Sequence, residues 1–373
     1  MLTSLKRNIQ NIQGSSSSRK LIVFESDDWG SIRMPSIDVF NKLKRENYNP
    51  GSNPYLKNDT LASATDMDAL YEILQSVKDK NNNPAIITAN AVMGNPNFER
   101  IKEFNFEKYF WEPFTTTWEK YPHCKGVDKI WQQGQNEKLI RFQCHGREHL
   151  NVDQWMLNLQ KKNPLLRKAF EHKMISISSQ PSNLRFNFME GLDFFTEEEQ
   201  QNKQIIIEES LLHFENYFGY KSKSFIANCY IWDNFAEKIL ANNGVQYLQG
   251  ISNQIIPVLH NRKHSHNYIR HYLGQKNYLN QTYLVRNAFF EPSLDTTKNW
   301  IDECLHRIKI AFRWGKPAII GCHRLNFMGE IDEKNRTNNL LQLKSLLIKM
   351  IKLWPDLEFT TSDKVMRMMK NES

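Results

Sequence analysis

The chain has 373 residues, 40% apolar and 12% aromatic, which is enough to bury a large core and excludes a disordered polymer. Its formal net charge is +8, but the basic residues are spread along the chain without an interleaved aromatic motif, so nucleic acid is not an expected partner. The five cysteines are scattered, odd in number and without a CxxC pair, which argues against a disulfide framework and a zinc ribbon and predicts reduced, mostly buried thiols.

In chain order, Leu2, Leu5, Ile9 and Ile12 recur at helical spacing ahead of the Gly14–Ser18 run. Residues 1–19 are therefore expected to form an N-terminal helix and a flexible linker. The first twenty residues lack the apolar core of a secretory signal, and no run nears the roughly 20 apolar residues of a transmembrane segment. A cytoplasmic protein is the resulting expectation.

Short β-rich runs then alternate with helical patterns: "LIVF" from Leu21, "AIIT" from Ala85, "LIRFQ" from Leu139, "SFIA" from Ser224, "VQYL" from Val245, "TYLV" from Thr282, "AIIG" from Ala318 and "LEFTT" from Leu357. Between them, Thr196 and Glu199 form a capping-box pattern ahead of Ile207, Leu211, Phe214 and Phe218, and Leu340, Leu343, Leu347, Met350 and Trp354 mark a late amphipathic helix. The alternation predicts an α/β fold with parallel strands, a barrel-like single domain over 20–373. Phe104–Gln135 and His260–Tyr272 look like loop insertions; in the second, His260, His264, His266 and His271 read as part of a solvated loop rather than a metal site.

Chemistry is expected at the C-terminal ends of the strands. After "LIVFES" stand two adjacent carboxylates, Asp27 and Asp28, which repel unless a cation or a basic side chain neutralises them. A metal ligand beside a general base is one division of labour, and a turn-capping pair is the plain alternative. After the third strand run, "QCHGREHLN" sets His145 and His149 four apart, on one face if the chain turns helical there. With a carboxylate they make a mixed oxygen and nitrogen donor set for a divalent metal. His323 closes the run "AIIGCH", where an acid role competes with a buried structural one. No glycine-rich phosphate loop, GxSxG elbow or cysteine nucleophile is evident, which disfavours covalent acyl transfer.

In the order of these elements, a paired Asp after the first strand, a histidine pair after the third and a histidine near the last, the chain resembles the polysaccharide deacetylases, a superfamily of carbohydrate esterases. The resemblance spans roughly Lys20–Thr361 and implies a distorted (β/α) barrel of about seven strands, a divalent metal, most often zinc, and hydrolysis of an N-acetylated sugar or polysaccharide precursor. It places Asp27 as base, Asp28, His145 and His149 as metal ligands, and His323 as acid. Where such proteins carry an Arg and Pro-rich segment, this chain reads "SFIANCYIWD". Arg286, after "TYLV", is the candidate to replace that arginine beside Asp27. An Asp-Trp element of the family is not evident.

Trp29, Asn90, Tyr230 and Trp232 follow strand runs and are candidate substrate contacts, with a backbone amide of Asn228–Tyr230 as a candidate oxyanion donor. Two other functions remain open to the sequence: a metal-dependent amidase on a non-sugar substrate, and a catalytically inactive glycan-binding relative.

Overall fold

The structure is a computed structural model that describes residues 2–177, 188–261 and 263–370. Apolar runs of β-branched and aromatic residues form the barrel strands, labelled here β1 (Leu21–Trp29), β2 (Ile87–Ala91), β3 (Ile140–Cys144), β4 (Ser224–Ile226), β5 (Tyr247–Gly250), β6 (Thr282–Val285), β7 (Ala288–Phe289), β8 (Ala318–His323) and β9 (Glu358–Thr360). Their order is β6-β5-β4-β3-β2-β1-β8-β7, all parallel, with β9 pairing the start of β1.

The two edges of that sheet meet. Arg286 donates its backbone N–H to Gly250 at 2.8 Å, and Asn287 donates to Ile319 at 3.1 Å. Within two residues the chain passes from pairing with β5 to pairing with β8, so β6 and β7 act as one strand that closes the sheet into a barrel. Counted so, seven strands form the ring and β9 is wedged beside β1, in accord with the expected (β/α) barrel of about seven parallel strands. Helices such as Ala64–Gln75, Glu197–Phe218, Trp300–Arg313 and Glu333–Leu353 cover the outside. Strand continuity is set by burial on both faces: every residue of β1, β2, β5 and β6 is buried.

Two expected boundaries move. The "AIIT" strand begins at Ile87 and runs to Ala91, and "VQYL" becomes Tyr247–Gly250. In both, polar residues at the strand end are held by neighbouring strands, which propensity does not register. The Phe104–Gln135 segment is ordered and packed: Trp111–Pro113 pairs antiparallel with Gly94–Pro96, and Trp131 stacks on Phe142 with ring centroids 4.3 Å apart. Burying such a ring contributes about 2–3 kcal/mol. Most of His260–Tyr272 is solvent-exposed as expected, but it is a strand and not a loop. Asn253–His260 and Lys263–Arg270 form an antiparallel hairpin in continuous register, anchored where Gln254 donates its side-chain amide to the Trp232 carbonyl and Trp232 N–H donates to Ile255.

The N-terminal helix Leu2–Ile12 lies against the barrel wall: Arg7 pairs with Glu303 at 2.5 Å, and Gln10 donates its side-chain amide to the Arg286 carbonyl. Ser15 and Ser17 donate backbone N–H groups to Leu273 and Gly315. All five cysteines are unbridged. Among the described residues, no helix is long and apolar enough to cross a membrane.

Candidate metal centre and active site

In a regular strand Asp27 and Asp28 would point to opposite faces, because side chains alternate. The structure breaks that alternation. The pairing of β1 with β2 shifts between Ser26 and Trp29, and Asp28 has φ 73, a left-handed conformation uncommon outside glycine. This bulge turns both carboxylates toward one cavity of about 260 Å³, lined also by His145, His149, Tyr230 and His323.

His145 and His149 reach that cavity from a loop, not a helix: β3 ends at Cys144, and Gly146 takes φ 100. Their Nε2 atoms stand 3.4 and 3.3 Å from Asp28 Oδ1, and the rings are 5.1 Å apart. Asp28 Oδ1 is buried and accepts no hydrogen bond. His145 holds its Nδ1 2.8 Å from the Ile226 carbonyl, which takes the proton on that nitrogen and leaves Nε2 with a lone pair toward the triad. Burial pushes His149 down to about 3, so it is a neutral imidazole at pH 7. Three converging lone pairs, one of them on an orphaned carboxylate oxygen, suit a divalent cation with nitrogen and oxygen ligands.

Asp28 also has a basic partner that the sequence reading missed. Arg33 Nη2 lies 2.9 Å from Asp28 Oδ2 and its Nε 3.0 Å from Asp59, which is in turn held by Arg324 at 2.7 Å. Burial alone would raise the Asp28 carboxyl, but the Arg33 guanidinium opposes it and Asp28 is held well below the usual range. The metal-facing oxygen is thus ionised and the other is neutralised from behind.

Asp27 is gripped by Arg286: Nη1 donates to Oδ2 at 2.6 Å and Nη2 to Oδ1 at 2.7 Å. Arg286 Nε donates to Glu25 at 2.7 Å, and Tyr230 Oη accepts from Nη1 at 3.3 Å. Burial opposes the charge on Asp27, yet the guanidinium prevails and lowers its pKa. Gly321 makes room for this clamp, since a Cβ there would sit 2.8 Å from Arg286 Cδ. Glu25, two residues before Asp27 on the same face of β1, was also missed; that i, i+2 spacing in "FESDD" was the available signal.

His323 is the register partner of Asp27 on the adjacent strand, with Nε2 4.0 Å from Asp27 Oδ2. Its Nδ1 lies 2.7 Å from Glu291. Burial disfavours the imidazolium, but Glu291 more than compensates and His323 is raised to about 9. Tyr55, from a short helix that the sequence reading did not single out, places its hydroxyl 3.5 Å from His323 Nε2.

Of the four candidate substrate contacts, Tyr230 alone lines the cavity. Trp29 is fully buried, donates Nε1 to Ser26 and packs edge-on against Trp131, so it is a core residue. Trp232 is likewise spent in the interior, donating to Glu237 and stacked near His271. Asn90 donates one side-chain amide to both Asp27 and Gln249 at 2.8 Å, and so orients the carboxylate instead of facing the cavity. Among the expected oxyanion donors, the Tyr230 amide is already bonded to Ala227.

No protein-family model matches the chain, and no curated protein matches it. Solved structures do. The chain is similar to a probable polysaccharide deacetylase from Pseudomonas aeruginosa PAO1 at 8% identity and TM-score 0.47, over 95% of this chain and 92% of that one. It is similar to Puue allantoinase at 8% identity and TM-score 0.46, over 96% and 92%. A third likeness, to 4-alpha-glucanotransferase from Thermococcus litoralis, has 8% identity and TM-score 0.44, covering 94% of this chain but 40% of that one.

Proposed function

We propose that this chain is a metal-dependent hydrolase that removes an N-acetyl group from a sugar or glycan precursor. The observation that carries the reading is the meeting, in one cavity, of the Asp28–His145–His149 donor triad with Asp27 clamped by Arg286 and His323 paired to Glu291. Asp28 Oδ1 and the Nε2 atoms of His145 and His149 would hold the ion, and nitrogen-rich ligation favours zinc. When bound, such an ion supplies Lewis-acid polarisation of an amide carbonyl and lowers the pKa of water.

The remaining steps belong to the chain's own side chains. Asp27, kept ionised by Arg286, accepts a proton from the attacking water. Asn90 and Arg286 fix the carboxylate so that its orientation is set before substrate arrives. His323, charged through Glu291, donates a proton to the departing sugar nitrogen. Tyr230 and Tyr55, on the cavity wall, offer aromatic and hydroxyl surface suited to a sugar.

The test is acetate release from a panel of N-acetylated sugars by zinc-loaded protein, with His145→Ala, His149→Ala as control. Release by the wild type that the double variant loses supports the reading. Sugar binding without release would favour a glycan-binding relative, and release confined to non-sugar amides would favour an amidase.

A further inference from the structure

A second cluster of metal-ligating side chains lies outside the cavity. His264 and His266 are two apart on the Lys263–Arg270 strand, so both rings project from one face of the hairpin. They meet Asp193, about 70 positions away in sequence: His264 Nε2 is 2.9 Å from Oδ1 and His266 Nε2 is 3.1 Å from Oδ2. The two rings are 4.5 Å apart at an interplanar angle of 85°, and the three ligand atoms lie within 4.8 Å of one another.

The cluster is held from outside itself. Asp193 is 4% exposed; its N–H donates to Glu190, its carbonyl accepts from Asn151, and Phe194 N–H donates to Oδ1. Phe195 stacks on His264 with centroids 4.0 Å apart and fixes that ring. His266 is the most open of the three, at 22% side-chain exposure, which leaves a solvent-facing position for water. Glu190, in the same turn as Asp193, is buried, and its Oε1 has no hydrogen-bond partner among the described residues.

We propose that Asp193, His264 and His266 form a second divalent-metal site, of the two-imidazole, one-carboxylate type that suits zinc. Its role is a cross-link. It joins the hairpin, which receives the Trp232 N–H at Ile255, to the segment whose Met189 lines the cavity. The ion thereby steadies a cavity wall without touching the reacting atoms. This inference does not depend on the proposed reaction.

Chelator-stripped protein would be reloaded with zinc and its metal content measured by elemental analysis, with circular dichroism as a fold control. The wild type should hold about two zinc ions per chain, and His264→Gln, His266→Gln about one, as should His145→Gln, His149→Gln. Asp193→Asn, which keeps the side-chain volume, gives the same loss if the histidine variant does not fold. An unchanged zinc count in the folded His264/His266 or Asp193 variant overturns the site. Should the wild type hold only about one ion, its loss in the His264/His266 variant supports this site even with the first triad lacking metal, and its retention there overturns it.

Discussion

Arg286 crosses 259 positions of chain to clamp Asp27, its two terminal nitrogens donating to the two carboxylate oxygens at 2.6 and 2.7 Å. The same guanidinium holds Glu25 through Nε, so one buried cation serves two buried carboxylates. A planar fork can satisfy that geometry, whereas a lysine ammonium is a point charge. Arg286→Lys is therefore expected to lower turnover on the order of 10²-fold while zinc content stays at the wild-type level. Steady-state kinetics beside elemental analysis reads both, and wild-type turnover in this variant would remove Arg286 as a positioning residue.

Asn90 provides a milder test of the same carboxylate. Asn90→Ala removes the donor to Asp27 Oδ1 but leaves Arg286 in place. The expected result is a kcat about 10-fold lower with KM and metal content little changed, since the lost contact orients a reacting group rather than binding substrate. A change confined to KM would instead place Asn90 among the substrate contacts.

The Glu291–His323 pair predicts a pH dependence. With a folded pKa of about 9 against an ordinary value of about 6.5, His323 binds a proton more tightly in the folded protein. Its contribution to stability, at most about 3 kcal/mol, is fully present below about pH 6.5 and disappears as pH rises through about 9. In metal-stripped protein, Glu291→Gln should move the His323 ring titration to lower pH by NMR and flatten that part of the stability profile. A titration unaffected by the substitution would mean that Glu291 does not set the charge.

Gly146 joins the two histidines of the triad at φ 100, where a side chain is strained although no atom lies closer than 3.5 Å. Gly146→Ala should cost about 1–2 kcal/mol in urea unfolding and weaken zinc binding through a displaced His145–His149 pair. Zinc affinity equal to wild type would show that the loop reaches its geometry without glycine.

Much of the fold was legible because it rests on local signals. Apolar runs of four to six residues broken by helical patterns specify parallel strands with helices between them, and strand ends are where a barrel collects its polar groups. The candidate donors Asp27, Asp28, His145, His149 and His323 could be picked out for the same reason, since each follows such a run. Trp29 and Trp232 follow runs as well, yet they turn inward to the core; side-chain direction at a strand end depends on the packing behind it.

The sequence by itself determined the alternation of strands and helices, the chemical types at the strand ends and their order along the chain. Tertiary structure alone decided which of them meet. The bulge at Asp28 brings adjacent carboxylates to one side, barrel closure at Arg286 and Asn287 carries a guanidinium to Asp27, and Glu291, Arg33 and Asp59 supply charges that no local pattern marked. The hairpin makes the same point, turning a histidine-rich stretch that reads as solvated loop into two imidazoles on one carboxylate. Local propensity acts over a few residues, whereas burial in a low-dielectric interior makes each charge depend on partners that only the closed barrel brings within reach.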